Sequence, residues 1–449
     1  MTAVLAAPDE VAPHEVVRPA PFLPGYRFEL TKLLTQWRLR AVLLVCLVAP
    51  GGYVAVVSRQ ASLPTDTVFG RWMHATGWAG SLVVLAFACS WGLPLLTSLV
   101  AGDVFAAEDR LGTWRHLLVA VRSARRIFLA KALASLTVIL LTVTALCASS
   151  IVGGLAAVGG HPLVGLDGHA LAPGQAARAV LVAWLCVLAP TVALAAVGLL
   201  GSVLLGRSPM GLLLPAVLAL AMDLVLMLPV PVALRLSLPT NTFLAWRGLF
   251  TAPAHVGALV AGTAVSLVWA LAATGLAYRA FVRRDFTNPS YDGPGRRDLA
   301  TTVLPMVALV ALSALVVTAF SPARGSGIDR RKLEASLSTA FAHLYRLQTD
   351  ELHRPAVTEA ELATRASCDK GGDRVVDRGA GNDWRCVVSW RLPGATAQGT
   401  ATYQLDVTAE GRYVADGDGP KEVNGSFWVH TPSGDAPNPL WQFDGYVDL

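Results

Sequence analysis

Three groups of residues in this 449-residue chain have types and spacings that could do chemistry. The first is Glu108 to Lys131, EDRLGTWRHLLVAVRSARRIFLAK, which sets six basic residues between two long apolar runs. Trp114, Leu117, Leu118 and Val121 recur at i, i+3, i+4 and i+7, the spacing of one helix face. A basic amphipathic helix between two membrane spans ordinarily faces the cytoplasm. Its natural neighbour is either anionic lipid or a docked protein, into whose groove the apolar face fits while Arg115 and Arg122 pair with acidic groups. The second is Asp223, the one ionisable side chain deep in an apolar run. At that depth a carboxyl either meets a cationic group on a cargo along a translocation path or glues helices through hydrogen bonds. The third is Cys368 and Cys386, the only two cysteines of the C-terminal third. Outside the cytosol they form a disulfide; the alternative is two buried thiols.

Several chemistries are excluded. The chain has no G-x-x-x-x-G-K-[ST] phosphate loop, H-E-x-x-H, C-x-x-C or G-x-S-x-G, and its nine histidines fall at no metal-ligand spacing. No catalytic residue, metal or cofactor is therefore assigned to this chain, and any ATP hydrolysis must come from another polypeptide.

The elements that position these residues follow from the hydropathy. The chain is 54% hydrophobic and 15% charged, with mean hydropathy +0.52, the balance of an integral membrane protein. A span needs about 20 apolar residues, and seven runs qualify: 41–58, 79–101, 132–159, 179–205, 209–232, 256–278 and 301–320. With the N-terminus inside, the inner segments up to residue 300 hold 17 Lys+Arg and the outer loops five. The positive-inside rule then orients the chain in the cytoplasmic membrane and puts 321–449 outside. The net charge of +5 is a topology signal that calls for no nucleic-acid partner.

The expected organisation is a disordered cytoplasmic tail over 1–26, then an interfacial helix from Arg27 with Leu30, Leu33, Leu34 and Trp37 on its apolar stripe. Six spans follow to residue 284, then a cytoplasmic linker over 285–300 broken by Asn288-Pro289 and Gly293-Pro294-Gly295, and a seventh span. Residues 233–255 are too apolar for a solvated loop and too short and charged for a span, which predicts a short external or half-inserted helix hairpin bent at Pro239. The C-terminal segment opens with a helix over 328–348, with Leu333, Leu337, Phe341 and Leu344 on one face. Alternating strands follow, with Trp384, Cys386 and Val388 on one side and Tyr403, Leu405 and Val407 repeating the pattern. The expected fold class is an all-α polytopic bundle carrying a small α+β extracytoplasmic domain.

The order of an interfacial helix, two spans, E-x-x-x-G-T-x-x-x-L-L, an Arg-rich continuation and a lysine opening the third span resembles the permease subunit of ABC-2 type transporters, the type V exporter fold. The matching residues are Glu108, Gly112, Thr113, Leu117, Leu118, Arg125 and Lys131. The resemblance covers residues 27–284. It departs from the family's P-x-S-R, since 121–125 reads Val-Arg-Ser-Ala-Arg without proline. It implies that about 108–126 forms a coupling helix docking on a separate ABC ATPase, where ATP and Mg are held. It further implies a second permease chain, most simply an identical one, and export of a hydrophobic, amphipathic or lipid-like small molecule. A membrane-anchored extracytoplasmic sensor or assembly factor is the alternative, and an ion-coupled carrier relying on Asp223 is a weaker one.

Overall fold

A computed structural model describes residues 22–60, 73, 75–121, 123–206, 209–226, 232–284, 304–305, 307–315, 327–372, 375–408, 411–432 and 434–447. The tail before Phe22, the 285–300 linker, Arg122 and, of 301–320, residues 301–303, 306 and 316–320 lie outside these residues.

The first helix, α1, spans Phe22–Thr35 and starts five residues earlier than Arg27, because Pro24 fits a first turn where no N–H partner is needed. A break at Gln36 leads into α2, Trp37–Val57. Next come α3, Gly77–Phe87, a π turn at Ala88–Gly92, and α4, Leu93–Val100. The expected single coupling helix is two short ones, α5 at Ala106–Leu111 and α6 at Trp114–Val121. Gly112 separates them in the left-handed region at φ 67°, a conformation that closes a helix and that glycine adopts without strain. Ser123 then caps α7, Ala124–Ala157, by accepting from the Arg126 N–H.

Among the described residues, five helical segments are long and apolar enough to cross a membrane: Trp37–Val57, Gly77–Val100, Ala124–Ala157, Pro173–Leu205 and Gly257–Val282. The fourth comprises α8, Pro173–Cys186, and α9, Leu188–Leu205. The expected fifth span is shorter among the described residues, α10 at Pro209–Leu226. Of the expected seventh, residues 307–315 are helical and Leu309 packs into the bundle core.

The 233–255 segment forms short helices, α11 at Val232–Leu236 and α12 at Pro239–Ala245, followed by a 3-10 turn at Trp246–Phe250. Thr240, Asn241, Thr242 and Phe243 are buried against α13, Gly257–Val282, and its neighbours. Small residues let backbones approach where α3 and α7 cross. A Cβ on Gly154 would stand 2.1 Å from the Gly77 carbonyl oxygen. Polar links add to this contact: Ser81 and Ser150 share a hydrogen bond of 2.9 Å, and Trp184 donates to Ser81 at 2.9 Å.

The C-terminal domain has its own core. Its helix α14, Arg330–Glu351, is capped by Asp329, which accepts the Lys332 N–H at 2.9 Å. Counting strands after the hairpin of β1, Leu163–Val164, and β2, Ala170–Leu171, the domain has β3, Arg365–Lys370, β4, Gly381–Trp390, β5, Gly399–Val407, β6, Arg412–Gly417, the separate pair β7, Trp428–Thr431, and β8, Gly434–Pro437, and β9, Gln442–Tyr446. The helix lays Leu333, Leu337, Phe341 and Leu344 on an antiparallel sheet of order β3-β4-β5-β6-β9. Trp384, Cys386, Val388, Tyr403, Leu405 and Val407 fill the buried face, as the alternation requires. Cys368 and Cys386 face each other across β3 and β4 and are joined by a disulfide, with Cα atoms 4.1 Å apart.

Candidate functional site

The linker between the second and third long segments is built around one buried lysine. Lys131, in the second turn of α7, is 1% exposed. Its Nζ donates to Glu29 Oε2 at 2.9 Å and to Glu108 Oε1 at 2.8 Å. Lys32 on α1 and the Thr113 hydroxyl also donate to Glu108. Two carboxylates and two ammonium groups therefore cancel, which is what makes burial of the charges tolerable. Burial alone would raise the Glu108 pKa, but the Lys131 charge and the hydrogen bonds from Lys131, Lys32 and Thr113 outweigh it and hold the carboxyl at about 2.

One residue further on, Asp109 makes a second junction. Arg284, just beyond α13, grips it through both guanidinium branches at 2.9 and 2.6 Å, the bidentate geometry that arginine favours. Trp114 Nε1 donates to the same carboxylate at 2.7 Å. A third tie comes from α9, where Ser202 Oγ accepts the N–H groups of Phe105 and Ala106 at 3.0 and 2.9 Å and so satisfies the open donors at the start of α5. Aromatic rings fill the space between these junctions. Phe105 lies 5.4 Å from Phe128 and 5.0 Å from Phe281, which is 5.3 Å from Trp114. The linker is thus fastened to α1, α7, α9 and the end of α13.

In this chain the expected docking face turns largely toward the bundle. Trp114 is buried, and Leu117, Leu118 and Val121 pack against the protein's own core. An amphipathic helix buries its apolar stripe, and here the nearest apolar partner is the bundle itself. The surface left outward carries Leu111 and Val119, 69% and 70% exposed, with Arg115 and His116. Glu108 and Thr113 lie inside the ion cluster, and Gly112 forms the turn between the two short helices.

Asp223 takes no part in this cluster. It is half-buried on α10 beside Thr240 of α12. Cys368 and Cys386 belong to the C-terminal domain and are structural.

The sequence reading missed Glu29, Asp109, Arg284 and the partners of Lys131. One signal was available: Glu29 precedes Leu33 by one helical turn and so shares its inward face. The Asp109–Arg284 pair, 175 residues apart, leaves no local trace. Among the described residues no cluster of His, Cys, Asp and Glu is arranged to hold a metal ion. No protein-family model matches the chain, and no curated protein matches it.

Proposed function

We propose that this chain is the membrane subunit of an ATP-driven exporter whose energy comes from a separate nucleotide-binding polypeptide. The observation that supports the reading best is the two-sided character of the linker. Its inner side is fastened by ion pairs and aromatic packing to four helices. Its outer side offers Leu111, Arg115, His116 and Val119 to solvent. A push on the outer side is transmitted to α1, α7, α9 and α13 together, which is what a coupling element must do. The resemblance to ABC-2 permeases supplies the partner class, an ABC ATPase holding ATP and Mg, and the working assembly of two permease chains, most simply identical. The cargo class is a hydrophobic or amphipathic compound crossing the cytoplasmic membrane. The Lys+Arg distribution supports a cytoplasmic N-terminus and an extracytoplasmic C-terminal domain. The Cys368–Cys386 disulfide supports the same side for that domain.

The test is co-purification with the ATPase encoded beside this gene, followed by ATP turnover with and without the permease. Val119→Asp and Arg115→Glu change only the outward face and are expected to weaken the complex at least tenfold. If no complex forms with the wild-type chain, or if the two variants bind as well as wild type, the reading falls.

A second reading, a membrane-anchored sensor or assembly factor, is favoured by the C-terminal domain having its own core and disulfide. Deleting 321–449 discriminates between the two. A chain that still transports with its ATPase makes the domain an accessory, whereas a chain with no transport before or after deletion makes the spans an anchor.

A further inference from the structure

The C-terminal domain meets the membrane unit at a seam whose centre is a buried histidine. His343 on α14 is 4% exposed. Nε2 lies 3.0 Å from Glu359 Oε2, while Nδ1 faces Asp167 Oδ2 at 3.5 Å, within ion-pair distance but without a formed hydrogen bond. Asp167 belongs to the membrane unit. It sits in the turn joining β1, Leu163–Val164, to β2, Ala170–Leu171. Glu359 belongs to the C-terminal domain, in the segment after α14. The carboxylate of Asp167 is pinned by the N–H groups of His169 at 3.1 Å and Ala252 at 2.8 Å, so it cannot swing away from the imidazole. The His169 ring lies 5.5 Å from that of His343, and Arg346 pairs with the other oxygen of Glu359 at 3.0 Å. Beside them the backbone closes tightly. Gly168 has φ 82°, and a Cβ there would stand 2.6 Å from Leu344 Cδ2.

The chemistry of imidazole makes this geometry depend on a proton. A neutral ring has one N–H and one lone pair, so with a carboxylate at each nitrogen the lone pair would face an anionic oxygen. Only the imidazolium presents a donor on both sides. We propose that His343 is a proton-operated latch: as the imidazolium it bridges Asp167 of the membrane unit and Glu359 of the C-terminal domain, and when it loses its proton the domain loosens from the membrane unit.

The flanking groups define where the latch works. Burial pulls the His343 pKa down, but Asp167 and Glu359 outweigh burial and the nearby Arg346, so it lies above the ordinary imidazole value. Burial pushes Asp167 up, but His343 and the two backbone N–H groups outweigh it and hold the carboxyl below its ordinary value. The contribution of His343 is complete below the free imidazole value and is lost as pH rises through the raised one. That of Asp167 is complete above the free carboxylate value and is lost as pH falls through the lowered one. The seam is therefore tightest in mildly acidic to neutral solution and loosens on the alkaline side. Next to it lies a crevice of about 330 Å³ lined by Asp167, Thr251, His255, Lys332, Ser336 and Tyr446, so it is walled by both units and opens when they part.

The latch can be read without any partner, so its failure is separate from failure of the exporter reading, which bears only on the side of the membrane the seam faces. Hydrogen exchange of the backbone amides in 163–171 is measured on the full chain in lipid nanodiscs from pH 5 to 9, corrected for the intrinsic rate. In the wild type, protection is expected to fall at least tenfold as pH rises through the imidazole midpoint. His343→Gln, which stays neutral, is expected to show low protection without that step. Glu359→Gln changes a carboxylate that is one-third exposed and does not threaten the core. It is expected to move the midpoint down by about one pH unit. A wild type that is flat across the range, a His343→Gln variant that keeps the wild-type profile, or an unmoved midpoint in Glu359→Gln overturns the latch.

Discussion

Replacing Lys131 by methionine tests whether the linker is held by charge. Methionine keeps most of the stem volume and removes the ammonium, which stands 2.9 Å from Glu29 and 2.8 Å from Glu108. At an effective dielectric of about 20 each contact is worth ~6 kcal/mol of attraction, most of it offset by the cost of taking the ions out of water. What the variant exposes is the second term without the first. Glu29 and Glu108 are left with Lys32 alone, a net buried charge of −1. The chain's way out is to protonate Glu108. At neutral pH, protonating a carboxyl of ordinary pKa costs about 3–4 kcal/mol. The loss of two charge-assisted hydrogen bonds adds to this, giving about 3–5 kcal/mol, the range typical of a broken buried pair. For a chain of this size that is on the order of 3–5 °C in thermal unfolding. The sign with pH follows. In the wild type Glu108, held at about 2, stays ionised down to acid pH, and its contribution is lost only as pH falls through about 2. In the variant Glu108 takes up a proton readily, so the deficit shrinks between pH 7.5 and pH 5. The double variant Glu108→Gln, Lys131→Met leaves Glu29 and Lys32 to cancel and is expected to be more stable than the two single losses added together. The assay is thermal unfolding of the purified chain in detergent, followed by tryptophan fluorescence, at both pH values. A Lys131→Met variant that melts with the wild type, or a deficit that is equal at pH 7.5 and pH 5, would refute the reasoning.

Three further outcomes are expected. Cys386→Ser opens a bridge between residues 18 apart and should cost about 3 kcal/mol in the C-terminal domain, read as loss of protease resistance in that fragment alone. Gly154→Ala brings a methyl group to 2.1 Å from the Gly77 backbone oxygen, which cannot give way. It should lower thermal stability by about 1–3 kcal/mol or more, whereas Gly257→Ala, with open space around the site, should not. Asp223→Asn keeps the side-chain volume and removes the charge. Transport reduced at least tenfold with unchanged thermal stability would put the carboxylate on the cargo path, and unchanged transport would leave it a helix-to-helix contact.

What could be read in advance follows a physical division. Hydropathy located the long helices, because a span must be apolar along its whole length wherever its neighbours stand. Alternation identified Trp384, Cys386 and Val388 as one face of a strand, because a sheet with one buried side imposes period two. The inward turn of Trp114 was not legible. Spacing shows that Trp114, Leu117 and Leu118 share a face but not what covers it, and two candidate surfaces, a partner and the bundle, ask for the same residues. The ion cluster was half legible: Glu108 and Lys131 stood out in the motif, while Glu29, Asp109 and Arg284 are assembled by tertiary packing over long separations. The seam at His343 was invisible for the same reason, since it joins a turn of the membrane unit to a helix more than 170 residues later.

The Glu29–Lys131–Glu108 junction also fixes an order of events during synthesis. Glu29 and Glu108 leave the ribosome before Lys131, so α1 and the linker emerge carrying carboxylates whose main counter-ion has not yet been made. Neither can settle until α7 enters the bilayer and brings its lysine to them. A nascent chain arrested before residue 131 should hold α1 loosely and yield it to protease, and one arrested after α7 should protect it. Assembly of this layer therefore waits on insertion of the third long helix.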